Sequence, residues 1–191
     1  MSSYLPSARL QFAYYKSLGD KTLARLTEEQ LHWQPGEEGN SVATIVKHLS
    51  GNMRSRWTDF LTTDGEKDFR DREGEFTPDA SPKAVVLMRW EKGWASVFAA
   101  LDAVEASGVD LEQLVYIRAK GHTVTEAINR QLCHYAYHVG QMTFLGRMLV
   151  GEAWESLSIA RGDSQAYNAK SFAEGQRREH FTQEFLDDDK R

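Results

Sequence analysis

Apolar residues recur at helical spacing in four stretches of this chain. In the first, from about Tyr4 to Leu26, Leu10, Tyr14, Leu18 and Leu26 share a face. A connector with Gln34-Pro35-Gly36 and Gly39-Asn40 follows, and Ser41 then stands where a helix cap belongs. Val42, Ile45, Val46, Leu49, Met53 and Phe60 form the stripe of a second helix, expected to reach about Leu61. Ser81 and Pro82, a cap and a first-turn proline, open a third helix that carries Val86, Trp90, Trp94, Phe98 and Leu101 to about Val104. Thr123 and Glu126 have capping-box spacing and open a fourth, which runs to about Val150 before Gly151 ends it.

The stretches between are short or polar. Thr62 to Ala80 reads as a long connection whose charged part, residues 64–73, is a solvated loop or else a lid. Leu114 to Ile117 is a short strand or an irregular piece, and Gly108 sits in the break before it. The expectation is an all-α chain: a four-helix bundle with a long crossover connection between helices 2 and 3. Residues 1–170 make the bundle. Residues 171–191 make a charged C-terminal tail, partly helical, docked on the bundle or on a second subunit, or partly disordered.

Composition narrows the class. There are 28 acidic and 23 basic residues, a net charge of -5, and no basic stripe, which excludes nucleic acid as an expected partner. No apolar run approaches the roughly 18 residues of a membrane span, so no membrane partner is expected either. The first residues lack the apolar core of a signal peptide, and a cytoplasmic location is the expectation. A single cysteine, Cys133, excludes an internal disulfide framework and a multi-cysteine zinc site.

The histidines change the picture most. His134 and His138 lie four apart on the fourth helix, which puts both rings on one face. His48, beside Leu49 of the second helix's stripe, can point inward as a third ligand. Three histidines leave one position of a tetrahedral ion open, the pattern of catalytic rather than structural zinc. Gln131 and Gln141 flank the pair at helical spacing, and Asn52 lies one turn after His48. A polar stripe inside a bundle is costly unless its groups are paired or bind something. Hydrogen-bonded histidines at the bundle edge are the competing reading.

Other residues carry less. Cys133 is turned about 100° from His134 and reads as a small buried hydrophobe. His32, His122 and His180 read as connector or surface residues, and Trp57, Trp90 and Trp94 as core. Arg54 and Arg56 read as solvated, or as the mouth of a cleft. Tyr135 follows His134 where a metalloprotease helix would carry its glutamate, so that general base is missing.

The run from Ser41 to Leu49 followed by Asn52, and the run His134-Tyr135-Ala136-Tyr137-His138-Val139-Gly140-Gln141, resemble two helices of the DinB/YfiT-like metalloprotein superfamily. Phe60 to Glu73 and Leu157 to Ser164 resemble an uncharacterised branch of it. The resemblance implies a four-helix bundle, zinc or nickel on His48, His134 and His138, and a homodimer. Its characterised relatives include S-transferases that use low-molecular-weight thiols such as bacillithiol and mycothiol, and a maleylpyruvate isomerase. On that basis the expected function is a metal-dependent thiol S-transferase, with a small-molecule thiol as partner and Asn52, Gln141 and Arg56 orienting the substrate. A metal-dependent hydrolase and a non-catalytic metal- or ligand-binding protein stay open. No catalytic residue, thiol or electrophile follows from the residues.

Overall fold

The computed structural model describes residues 3–78 and 80–188, and the four helices read from the apolar pattern form its frame. Helix α1 spans Tyr4–Arg25, and a short α2, Glu28–His32, follows it. Thr27 starts α2 with a reciprocal capping box on Gln30. Helix α3 spans Val42–Trp57 and is capped by Ser41, whose hydroxyl accepts the Thr44 N–H at 3.1 Å. Helix α4 spans Lys83–Ser107 and ends on Gly108, at φ 63 in the left-handed region where a missing Cβ avoids strain. Strands β1, Leu114–Ile117, and β2, Lys120–Thr123, pair as an antiparallel hairpin. Helix α5, Val124–Val150, opens on the expected Thr123–Glu126 capping box. Helices α6, Ser164–Ala173, and α7, Gln183–Asp188, lie in the tail.

Helix ends differ from the sequence reading at several points, and the third long helix runs on to Ser107 instead of ending near Val104. The second long helix stops at Trp57, not near Leu61, because Thr58 turns extended and Asp59 takes φ 48. Phe60 therefore reaches the core from a loop, its ring 4.9 Å from that of Trp57. The third starts one residue later than expected, with Pro82 rather than Ser81 as its N-cap.

α1 packs against α5 and α4, and α3 against α4 and α5, so α1 and α3 lie diagonally across the bundle. Phe12, Trp57, Trp90, Trp94 and Tyr135 meet at its centre, edge to face or tilted. All five are buried, and burying a large apolar side chain contributes roughly 1.5–3 kcal/mol. The long connection, residues 58–82, joins α3 to α4, which pack on each other. Among the described residues, no helix is long and apolar enough to cross a membrane.

That connection is not a free solvated loop. The Gly65 N–H donates to the Tyr116 carbonyl of β1 at 2.7 Å. The Asp64 carboxylate accepts the N–H groups of Arg118 and Ala119 at 2.8 and 2.7 Å, locking the hairpin turn. Further on, a 3-10 turn at Gly74–Phe76 lies against α3. The tail docks on its own bundle: the rings of Phe181 and Phe185 lie 5.9 and 5.6 Å from that of Tyr14, and His180 bonds Ser7 at 3.0 Å. The last tail residues, 189–191, lie outside the described residues.

Candidate metal centre

α3 and α5 bring His48, His134 and His138 together as the sequence predicts. One ligand-type nitrogen from each ring lies within 4.8 Å of the others. His48 is buried, and the other two are partly buried. Two of the rings have one nitrogen assigned elsewhere. His48 donates its Nδ1–H to Glu75 at 2.9 Å, and His138 donates its Nδ1–H to the Gln141 side-chain oxygen at 2.8 Å. Each therefore keeps an Nε2 lone pair for the cluster. The His48 and His134 Nε2 atoms stand 3.2 Å apart. Two nitrogens bound to one tetrahedral zinc are separated by about 3.3 Å, given bonds near 2.05 Å. The residues fit a metal ion on this ground, with a modest inward movement for the widest pair.

Electrostatics favour the neutral rings a metal needs. Burial, with the neighbouring His138 and His48 and then Arg56 and Arg70, lowers the His134 pKa to about 3. Burial and His48 lower that of His138 to about 4, against the opposing Gln141 bond.

Glu75 was not singled out from sequence, and it supplies a feature that ligand spacing cannot show. A carboxylate behind a ligating histidine fixes the ring and raises its basicity. Burial pushes the Glu75 pKa up, yet Arg70 and His48 hold the group below the ordinary carboxylate range. Arg70 reaches both Glu75 oxygens, at 2.8 and 2.9 Å, from a side chain only 2% exposed. Phe76 packs on the other side of His48, ring centroids 4.7 Å apart. The stretch read as solvated charge thus builds a wall of the site. The sequence held one signal for this: Gly51, inside an otherwise regular helix.

The other expected residues divide. Asn52 and Arg56 line a cavity of about 350 Å³ beside the three histidines. Asn52 accepts the Tyr135 hydroxyl at 3.1 Å, and that hydroxyl accepts the Trp57 indole N–H at 2.9 Å. Arg56 is buried, not solvated, and binds Glu66 and the Gly65 carbonyl. Arg54 is exposed and lies over the Phe69 ring. Gln141 holds His138 and is absent from the cavity lining, whereas Gln131 forms part of it.

Cys133 is exposed, contrary to the buried hydrophobe expected, because its face of α5 points away from the bundle with Tyr137 and Phe144. None of His32, His122 and His180 joins the ligand cluster: His32 bonds the Ser81 carbonyl, His122 accepts from Arg130 at the edge of the cavity, and His180 serves the tail.

No curated protein and no solved structure matches this chain. A model of the family described as a protein of unknown function (DUF1572) matches residues 1–163. The chain belongs to that DinB-like family.

Proposed function

We propose that His48, His134 and His138 hold one divalent ion, zinc or nickel, and that the protein uses it to activate a low-molecular-weight thiol for S-transfer. The Glu75–His48 hydrogen bond, with the Nε2 atoms of His48 and His134 at ion-sharing distance, carries the metal reading. Bound there, the ion would supply Lewis acidity that lowers the pKa of a thiol joining the three imidazoles.

The cavity's lining favours a thiol over an activated water. It consists of histidines, arginines, Asn52, Phe76 and Gln131, and no carboxylate among the described residues stands in it as a general base. The acids behind it, Glu66 and Glu75, are engaged by Arg56, Arg70 and Arg118. Loss of a thiol proton to solvent needs no such base. The sulfur lone pair then forms a bond to the electrophilic carbon, and the leaving group departs with its bonding pair. Asn52 and Arg56 orient the substrate, and Gln141 acts through His138 as a positioning residue.

Cobalt substitution tests this. A thiol joining the cobalt should produce a new charge-transfer band, followed while bacillithiol, mycothiol, glutathione, coenzyme A and cysteine are titrated in turn. Protein that loads no metal rejects the whole proposal. A loaded site that no thiol perturbs rejects the transferase and leaves a hydrolase or a binding protein.

A symmetric homodimer belongs to the same proposal. Tyr137, Phe144 and Met148 are exposed along one face of α5, apolar surface of the kind an isologous contact covers. Light scattering on the full chain should report twice the chain mass, and a monomer would reject this part alone.

A further inference from the structure

The cavity beside the three histidines is unusually basic for a chain of net charge -5. Arg56, Arg70, Arg72, Arg118 and Arg130 all line it. Their carboxylate partners are fewer. Glu66 is shared by Arg56 at 3.2 Å, Arg118 at 2.9 Å and Arg70 at 3.7 Å. Glu75 serves both Arg70 and His48, and Glu73 serves Arg72. Arg130 meets the neutral acceptor His122 at 3.1 Å. Among the described residues, five guanidinium charges thus face three carboxylates, none of which lines the cavity. A bound divalent ion would add to the excess.

Two residues of the lining also carry a buried side-chain atom that is left unsatisfied. The Arg56 Nε–H and the Gln131 side-chain oxygen have no hydrogen-bond partner among the described residues. Both residues are almost fully enclosed, at 5% and 3% exposure. An unpaired buried polar group is costly, more so when charged, and a ligand that draws both atoms into hydrogen bonds removes that cost. The Arg56 Nε–H calls for an anionic oxygen, and the Gln131 oxygen calls for a donor. Guanidinium forks match carboxylate and phosphate oxygens, and a cavity of about 350 Å³ suits a small molecule and no larger partner.

From these observations we infer that the ligand of this site is a small-molecule anion, whose carboxylate or phosphate group seats on the arginine wall while another of its groups approaches the three histidines. The inference rests on the metal reading for that second contact only, since the arginine wall exists without the ion. A bound ion's own charge would favour the same ligands, and the arginine wall adds a selectivity for anions that persists without the ion.

The experiment uses the full chain, metal-free and cobalt-loaded, at constant ionic strength. Three thiols of similar size but different charge are titrated by calorimetry and absorption: 3-mercaptopropionate, 2-mercaptoethanol and cysteamine. Malate and inorganic phosphate are titrated as anions without sulfur, and they separate a carboxylate preference from a phosphate preference. The anionic thiol should bind at least about tenfold tighter than the neutral one, with the cation weakest, corresponding to roughly 1.4 kcal/mol or more. The preference should shrink as salt rises. It should also shrink in Arg118→Gln and Arg130→Gln, two exposed positions whose variants retain the core, with metal stoichiometry unchanged. Binding of malate or phosphate to the metal-free chain would support the anion wall even if no thiol perturbs cobalt, so failure of the transferase reading stays distinguishable. Equal affinity for all three thiols, with neither malate nor phosphate bound, overturns the inference.

Discussion

Gly51 stands where a side chain would overlap the carboxylate of Glu75. A glycine inside a helix costs roughly 0.5–1 kcal/mol relative to alanine, so on propensity alone Gly51→Ala should stabilise α3. The structure reverses that expectation. The new methyl displaces Glu75 from its bonds to His48 and Arg70, and metal affinity should fall about 10–100-fold, read by competition with a chelator. A variant with a higher melting temperature and undiminished affinity would contradict this account of the glycine.

Glu75→Gln separates charge from shape. The amide still fits beside Gly51, but Arg70 loses its main counter-charge while 2% exposed. Removing one partner of a buried pair typically costs about 3–5 kcal/mol, and Glu66 at 3.7 Å should bring the loss toward the lower end. Metal affinity should fall as well, because a neutral amide orients His48 without raising its basicity. Arg70→Met in the same background should recover stability without recovering affinity, a split that thermal melts and metal competition read separately.

These two variants also mark what the sequence could and could not convey. The four long helices were legible because Leu49, Trp94 and their like repeat at helical spacing, and because Ser41 and Thr123 sit at caps. The ligand trio was legible because two histidines shared a helix face and a third sat beside an apolar stripe. Glu75 and Arg70 were not, because Glu75 meets His48 across 27 residues through a segment whose alternating charges look solvated. Burial there depends on Glu75 and Glu66 offsetting arginines, a relation among positions that no local pattern encodes. Cys133 misled in the opposite way: its residue type is usually buried, but its face of α5 points outward.

Tyr135→Phe should lower stability and leave metal stoichiometry intact. Tyr135 is fully buried, and its hydroxyl joins Trp57 to Asn52. Without it the Trp57 indole N–H and the Asn52 oxygen lose a partner, at roughly 1–3 kcal/mol each before relaxation or water entry. Asn52 also loses what fixes its orientation in the cavity, so thiol binding to the cobalt-loaded protein should weaken while the ligand histidines hold the ion. Metal lost from a folded variant would show that the tyrosine supports the ligands themselves.

Acid should weaken the metal-free protein before its carboxylates titrate. In the unfolded chain the rings of His134 and His138 take up protons below about pH 6.5, whereas in the folded chain they resist until about 3 and about 4. The unfolded state therefore binds more protons across that interval, and stability, complete above the upper limit, declines as pH falls. The Glu75 and Glu66 pKa values are lowered, so their contribution is present above the ordinary carboxylate range and is lost below it. The histidine effect is isolated between about pH 5 and pH 6.5. Denaturant melts of the metal-free protein should lose stability steadily across this window. His134→Gln with His138→Gln should flatten the slope, because neither position can then protonate on unfolding. Saturating zinc should raise stability throughout the window, since the ion binds the folded site preferentially. A metal-free profile that stays level there, or one equally steep in the double variant, would show that these rings are not held neutral by their surroundings.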